Sequence, residues 1–226
     1  MRLLFLLEKS LHLQLMDNKA PIIGICRHRL ATDGEGVTTL VAFHGCPLRC
    51  KYCLNPQSLS NPEQHPLYDA SSIFEETRID QLYFIATGGG ITFGGGEPCL
   101  RSDIITKFRI LCGNEWKLTL ETSLNVAPSQ FATLLPFIDR FIVDIKDMNS
   151  DIYQQYTGCN NKNVIANLKL IIESNRQDDT IIRIPLIPQF NTPTDQEKSK
   201  AQLKAMGFKQ FDIFTYSTKN AKTIDN

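Results

Sequence analysis

Val37-Thr38-Thr39-Leu40-Val41-Ala42-Phe43-His44-Gly45-Cys46-Pro47-Leu48-Arg49-Cys50-Lys51-Tyr52-Cys53 joins a β-rich apolar run to a tight loop with three cysteines. The first seven residues read as a strand, rich in β-branched and apolar side chains. The loop has the spacing C-x3-C-x2-C, with an aromatic residue before the last cysteine. Three thiolates on one loop can hold three irons of a cubane cluster and leave the fourth without a protein ligand. Clusters that only carry electrons usually take four cysteines, and a structural zinc site wants four ligands. The odd number therefore points to an iron with an open position, able to bind a small molecule and pass it an electron. A zinc site would have to borrow His44 or Cys26 as its fourth ligand, and the chain has no second, distant cysteine pair.

Working outward, apolar β-rich runs alternate with helical patterns. Residues 70–86 read as a helix, although Leu82–Ala86 also fits a strand. Ile91-Thr92-Phe93 is a short strand ending in glycines. Ser102 is expected to cap a helix running to about Cys112. Lys117–Glu121 is a strand, and Pro128 starts a helix ending near Pro136. Arg140–Lys146 is a strand, Asn163–Glu173 a helix and Thr180–Ile187 an isoleucine-rich strand. Thr194–Met206 is a helix ended by Gly207, and Phe211–Thr215 is the last strand. About six βα units in this order predict an α/β fold, a parallel sheet closing into a partial (β/α)6 barrel. Active residues of such folds sit at the C-terminal ends of the strands. The cysteine loop, the glycines after Phe93, Glu121, Asp144 with Lys146, and Arg183 all fall at or near such ends.

The bulk composition narrows the class. The chain has 226 residues, 24 Lys+Arg against 24 Asp+Glu, and 42% hydrophobic residues. Zero net charge gives no nucleic-acid footprint, which needs a basic face. No apolar run reaches membrane-spanning length. The run Met1–Leu7 is short, is interrupted by Glu8-Lys9 and lacks a small-residue cleavage site, so residues 1–20 are expected to form a tail or short helix before a core domain over 21–226. Seven cysteines, four of them scattered, do not make a disulfide framework and fit a reducing cytoplasm.

Gly88-Gly89-Gly90-Ile91-Thr92-Phe93-Gly94-Gly95-Gly96-Glu97-Pro98 is the second constellation. Glycines at a strand end let backbone approach a ligand closely. The Gly-Lys-Ser/Thr ending of a phosphate loop is absent.

Together these segments resemble the radical S-adenosylmethionine (SAM) superfamily. The glycine string resembles one branch of it, the activating enzymes of glycyl radical enzymes, of the pyruvate formate-lyase activase type. Thr32–Val37, Leu120–Ser123, Val143–Lys146 and Arg183–Pro188 with Asn191 resemble further segments of that branch. The resemblance implies one [4Fe–4S] cluster on Cys46, Cys50 and Cys53, whose open iron binds SAM. It implies reductive cleavage of SAM to methionine and a 5′-deoxyadenosyl radical, and removal of a hydrogen atom from a glycine of a partner glycyl radical enzyme. A flavodoxin or ferredoxin would supply the electron. The cofactor-binding residues implied are Tyr52, Gly94, Gly95, Gly96, Glu97, Glu121, Asp144, Lys146 and Arg183. Lys146 and Arg183 offer positive charge to the SAM carboxylate. Glu121 and Asp144 balance them, hold ribose hydroxyls or bind a monovalent cation.

The chain departs from the branch in places. Leu124 replaces a glycine, Glu35 a proline and Leu54 a histidine, and Tyr216 stands where a late histidine is common. No cysteine lies between Cys53 and Gly88, so one cluster is expected. Cys26, Cys99, Cys112 and Cys159 default to small core or site-edge residues, Cys99 being the one nearest the site. Two other readings use the same loop: a radical SAM enzyme acting on a small molecule, similar to deazapurine synthases, and a non-catalytic iron–sulfur module. The string Gly88–Pro98 argues against the first, and the second gives Lys146 and Arg183 no role.

Overall fold

The computed structural model describes residues 18–30 and 33–216. Eight strands form one sheet in the order β3-β1-β2-β4-β5-β6-β7-β8. They are β1 (Ala20–Leu30), β2 (Val37–Phe43), β3 (Leu67–Tyr68), β4 (Gly90–Gly95), β5 (Lys117–Thr122), β6 (Arg140–Asp144), β7 (Thr180–Leu186) and β8 (Gln210–Thr215). From β2 onward, β2, β4, β5, β6, β7 and β8 pair in parallel, each with the next. These are the six strands of the predicted partial barrel, and β3 and β8 are the sheet's two edges, so it does not close.

The sequence reading missed β1 and β3, which pair antiparallel on the β2 side. Ala20, assigned to the tail, is the first residue of β1; the rest of that expectation, residues 1–17, lies outside the described residues. The register of β1 against β2 shifts between Ile22 and Gly24 and again between Cys26 and Arg29. His28 sits in the second shift with φ 56, as a β-bulge allows.

Helices follow the strands. Ala70–Thr77 (α1) opens with a capping box in which Asp69 and Ser72 bond each other's backbone. The segment read as helix or strand is helical: α2 spans Gln81–Thr87 and stops at Gly88, left-handed with φ 69. Helix α3 is Ser102–Cys112, and Ser102 is its first residue, since Arg101 holds the capping position. Helix α4 (Pro128–Leu134) has proline in its first turn. Then come α5 (Ser150–Thr157), capped by Asn149, α6 (Lys162–Glu173) and α7 (Pro193–Ala205), capped by Thr192 and Asp195. Helix α5 was not anticipated, because only Ile152, Tyr153 and Tyr156 interrupt its polar sequence.

The core lies between sheet and helices. Phe43, Phe93, Phe108, Phe131, Phe141 and Trp116 are fully or almost fully buried. Trp116 stacks on Phe74 with centroids 5.3 Å apart and meets Phe84 edge-on at 5.0 Å.

Candidate active site at the strand tops

The cysteine loop begins where β2 ends and is braced on both sides. Gly96 N–H donates to the Phe43 carbonyl at 2.8 Å, and Glu97 N–H donates to the Gly45 carbonyl at 2.8 Å. On the other side Arg49 N–H donates to Thr157 O at 2.8 Å and Lys51 N–H to Tyr156 O at 3.1 Å, which ties the loop to the end of α5. Inside the loop Arg49 Nη1 donates to the Cys46 and Leu48 carbonyls at 2.8 and 2.9 Å. A Cβ on Gly96 would stand 2.2 Å from the Gly45 carbonyl oxygen, so glycine is required for this close approach.

Cys46, Cys50 and Cys53 line one cavity of about 410 Å³. Gly95 and Gly96 from the top of β4, Glu121 from β5, Asp144 at the end of β6, Lys146 just beyond it and Arg183 from β7 line the same cavity. The parallel registers bring these residues together: Asp144 lies opposite Arg183, and β5 carries Glu121 beside Ile142 of β6. A larger groove of about 850 Å³ lies elsewhere, against β3, α1 and α3, lined by Tyr68, Phe74, Leu111 and three carboxylates. It holds none of the thiols or cations.

Charge alternates across the cavity wall. Lys146 Nζ is 2.9 Å from Asp144 Oδ2, and Arg183 Nη1 is 2.6 Å from Glu121 Oε1. Arg183 also faces Asp212 of β8 at 3.4 Å. Burial opposes the Lys146 ammonium, yet Asp144 with Tyr216, Cys50 and Tyr156 outweighs it, so its proton is held above the usual lysine range. Burial raises the Glu121 carboxyl while Arg183 acts in the opposite sense. Burial, with the charge of Glu97, pushes the Cys46 thiol up to about 12. Burial likewise raises Cys50 to about 11, against the pull of Lys146. Metal must therefore displace protons from these thiols, as ligation by thiolate requires.

Three of the predicted residues lie off the cavity wall. Glu97 is fully buried and absent from the cavity wall. Its carboxylate accepts from Thr122 Oγ1 at 2.6 Å, from Ser123 N and Oγ at 2.9 and 2.6 Å, and from Cys99 N at 3.2 Å. It joins the top of β4 to the top of β5. Gly94 also lies behind the wall, and a Cβ there would be 3.3 Å from Glu121 Oε2. Tyr52 turns aside: its hydroxyl donates to Gln189 Oε1 at 3.0 Å, and its ring packs against Phe190 and Tyr156.

Other residues join the site without having been assigned to it. Arg29 of β1 and Asp33 line the cavity and pair through both guanidinium arms. The i, i+4 spacing of opposite charges around the turn at Gly34 was the available signal. Tyr216 lines the cavity with Lys146 Nζ 5.7 Å from its ring centre. Asn55 Nδ2 donates to Gly95 O at 3.0 Å. Cys159, not only Cys99, borders the site, since its thiol donates to the Pro47 carbonyl at 3.4 Å.

The donor set fits a polynuclear iron–sulfur group. Three thiols face one cavity, and no three His, Cys, Asp or Glu side chains among the described residues gather closely enough to hold a single metal ion. The fourth zinc ligands considered are engaged elsewhere: His44 Nε2 lies 2.9 Å from Ser60 O, and Cys26 is exposed on β1. The cavity also fits a zwitterionic ligand. Its wall carries both signs of charge, and Asp144 Oδ1 is buried there with no hydrogen-bond partner.

Comparison with known proteins agrees with this geometry. Residues 40–194 match the Radical SAM superfamily. The (2S)-3-sulfopropanediol dehydratase activating enzyme of Klebsiella oxytoca is 29% identical over 220 residues, which covers 70% of this chain and 69% of that protein. The pyruvate formate-lyase-activating enzyme of Staphylococcus aureus is 30% identical over 172 residues, covering 72% of this chain and 67% of that one. Among solved structures, Streptococcus suis SuiB bound to S-adenosylmethionine superposes with a TM-score of 0.60 at 17% identity, covering 83% of this chain. The chain spans less than half of SuiB, 45% of its length, and the likeness there is one of fold. The chain belongs to the radical SAM superfamily, an enzyme family built on a [4Fe–4S] cluster and SAM, and within it to the glycyl-radical enzyme activating enzymes.

Proposed function

We propose that this protein activates a glycyl radical enzyme by removing a hydrogen atom from one of its backbone glycines. The observation that carries the reading is the arrangement of Cys46, Cys50 and Cys53 on one cavity wall with Glu121, Asp144, Lys146 and Arg183. When bound, the cluster and SAM supply one-electron cleavage of SAM to methionine and a 5′-deoxyadenosyl radical. The chain's own residues bind, orient and shield. Cys46, Cys50 and Cys53 hold the cluster. Gly95 and Gly96 line the cavity without side chains, so a ligand can approach closely there, and Lys146 and Arg183 supply positive charge for its carboxylate. Glu121 and Asp144 bind ribose hydroxyls or a monovalent cation beside the methionine end. Glu97 acts as a positioning residue that locks the glycine turn to β5.

Asp33 and Arg29, an ion pair at the cavity wall, add a polar edge for a peptide segment of the partner. An open sheet admits such a segment where a closed barrel would not. The partner is accordingly a glycyl radical enzyme, the electron comes from a flavodoxin or ferredoxin, and the oxygen-sensitive chemistry places the protein in an anaerobic cytoplasm. Among the described residues no helix is long and apolar enough to cross a membrane. The test is electron paramagnetic resonance on candidate partner enzymes after anaerobic incubation with the reconstituted protein, SAM and reductant. A glycyl radical doublet in one partner is expected. Its absence from every candidate, with SAM still consumed, would point to a different hydrogen donor.

A further inference from the structure

Two cations that grip one carboxylate depend on their spacing. Arg183 sits within β7, whose ladders with β6 and β8 fix its backbone. Lys146 lies outside such ladders, since β6 ends at Asp144 and α5 begins at Ser150. Ile145 N–H still donates to the Arg183 carbonyl at 2.9 Å, and from there the backbone is irregular up to the helix. Irregular backbone at a buried site has to be satisfied by side chains. Asp147, next to Lys146 and 3% exposed, gathers them. Its Oδ1 accepts from Asn149 N–H at 2.8 Å and from Ser199 Oγ at 3.2 Å, and its Oδ2 accepts from Asn191 Nδ2 at 3.2 Å. Ser199 of α7 also accepts from Met148 N–H at 3.0 Å. Asn191 in turn accepts from Ile187 N–H at 2.6 Å and donates to the Pro185 carbonyl at 3.1 Å. One carboxylate thus ties the segment that carries Lys146 to the end of the strand that carries Arg183. Burial raises the Asp147 carboxyl, and the bonds from Asn149, Asn191 and Ser199 act in the opposite sense.

We infer that Asp147 is a positioning residue for SAM binding: it sets Lys146 against Arg183 so that both meet the carboxylate of the ligand. The inference rests on the role proposed above for those two cations. Asp147 is not part of the cavity wall, so its effect passes through Lys146, as outer partners act through the ligands of a metal. Asp147→Asn changes the hydrogen bonding with little change in volume. The new amide turns its N–H2 either toward Asn191 Nδ2 or toward the Asn149 and Ser199 donors, and one donor is left facing another. A ligand with a carboxylate then loses its fitted pair of cations, whereas a ligand without one loses nothing.

The experiment measures anaerobic binding of SAM and of decarboxylated SAM to the cluster-loaded wild type, Asp147→Asn and Lys146→Met. Iron content and melting temperature of the variants are compared with wild type first. We expect the dissociation constant of Asp147→Asn for SAM to rise about tenfold, the worth of one charge-assisted hydrogen bond, and that for decarboxylated SAM to stay unchanged. Equal weakening toward both ligands would make Asp147 a general support of the fold and overturn the positioning role, as would unchanged binding of SAM. If Asp147→Asn loses iron or melts early, Ser199→Ala decides in its place, because it removes a single donor from the network. The same selective loss in that variant supports the role, and wild-type affinity for SAM overturns it. Lys146→Met tests the underlying reading separately. It should weaken SAM and spare decarboxylated SAM, and equal binding of SAM by Lys146→Met and wild type would refute the carboxylate contact itself.

Discussion

Leu124 holds a left-handed backbone, φ 57, and its side chain is fully buried. Glycine adopts that conformation freely, whereas a branched side chain strains by about 1–2 kcal/mol. Burial opposes the strain: deleting a buried leucine costs roughly 2–5 kcal/mol. Leu124→Gly is therefore expected to destabilise the protein by about 2 kcal/mol in urea unfolding, and a rise in stability would mean that strain outweighs packing. Glu97 makes the complementary case. Its carboxylate gathers four donors from Cys99, Thr122 and Ser123, and Glu97→Gln turns an N–H toward donors. A loss of about 2 kcal/mol is expected, together with poorer retention of iron at equal thiol content. Full stability and iron retention in the variant would remove the clamp from the account. The motif spacing located Glu97 and Tyr52 at the right strand tops, but spacing along a loop does not say which way a side chain turns. Glu97 turns toward β5, and Tyr52 toward Gln189.

At the scale of elements, the parallel strands were legible because their apolar runs are short, β-branched and bounded by glycine or proline. Strand β1 was not. Its sequence contains Pro21, Gly24 and the cations Arg27, His28 and Arg29, and two register shifts break its alternation. Besides its pairing with β2, it is tied to the body by Asp80, a buried carboxylate between β1 and α2. Asp80 accepts from Arg27 at 2.6 and 2.5 Å, lies 2.9 Å from His28 Nε2, and meets the Thr39 hydroxyl at 3.4 Å. Hydrogen bonding from Arg27, then from His28, holds the Asp80 carboxyl below its ordinary value of 3.8 despite burial. A depressed carboxyl stabilises the fold above its unfolded value and loses that contribution as pH falls through the folded one. Melting temperature should therefore drop below about pH 4 in the wild type. Asp80→Asn should melt lower at neutral pH and lose less on acidification. Parallel curves for the two proteins would show that Asp80 adds nothing to the attachment of β1.

For the whole molecule, zero net charge averages over distinct local fields. Charge is segregated: cations crown the cysteine loop, and alternating ion pairs line the cavity. Such segregation depends on which stretches pack together, and the contact of His44–Pro62 with the end of α5 is a tertiary event. Chemistry was more legible than surface, because the thiols, Lys146 and Arg183 announce themselves by type and spacing. Arg29 and Asp33 reach the same cavity only through a strand that composition concealed. The central claim is that these elements form one SAM-cleaving site. The most direct measurement is anaerobic reconstitution with iron and sulfide, reduction, addition of SAM and assay of 5′-deoxyadenosine, with Cys53→Ala in parallel. The account predicts product from the wild type and none from the variant; a well-formed cluster that yields no product, or equal product from both proteins, would contradict it.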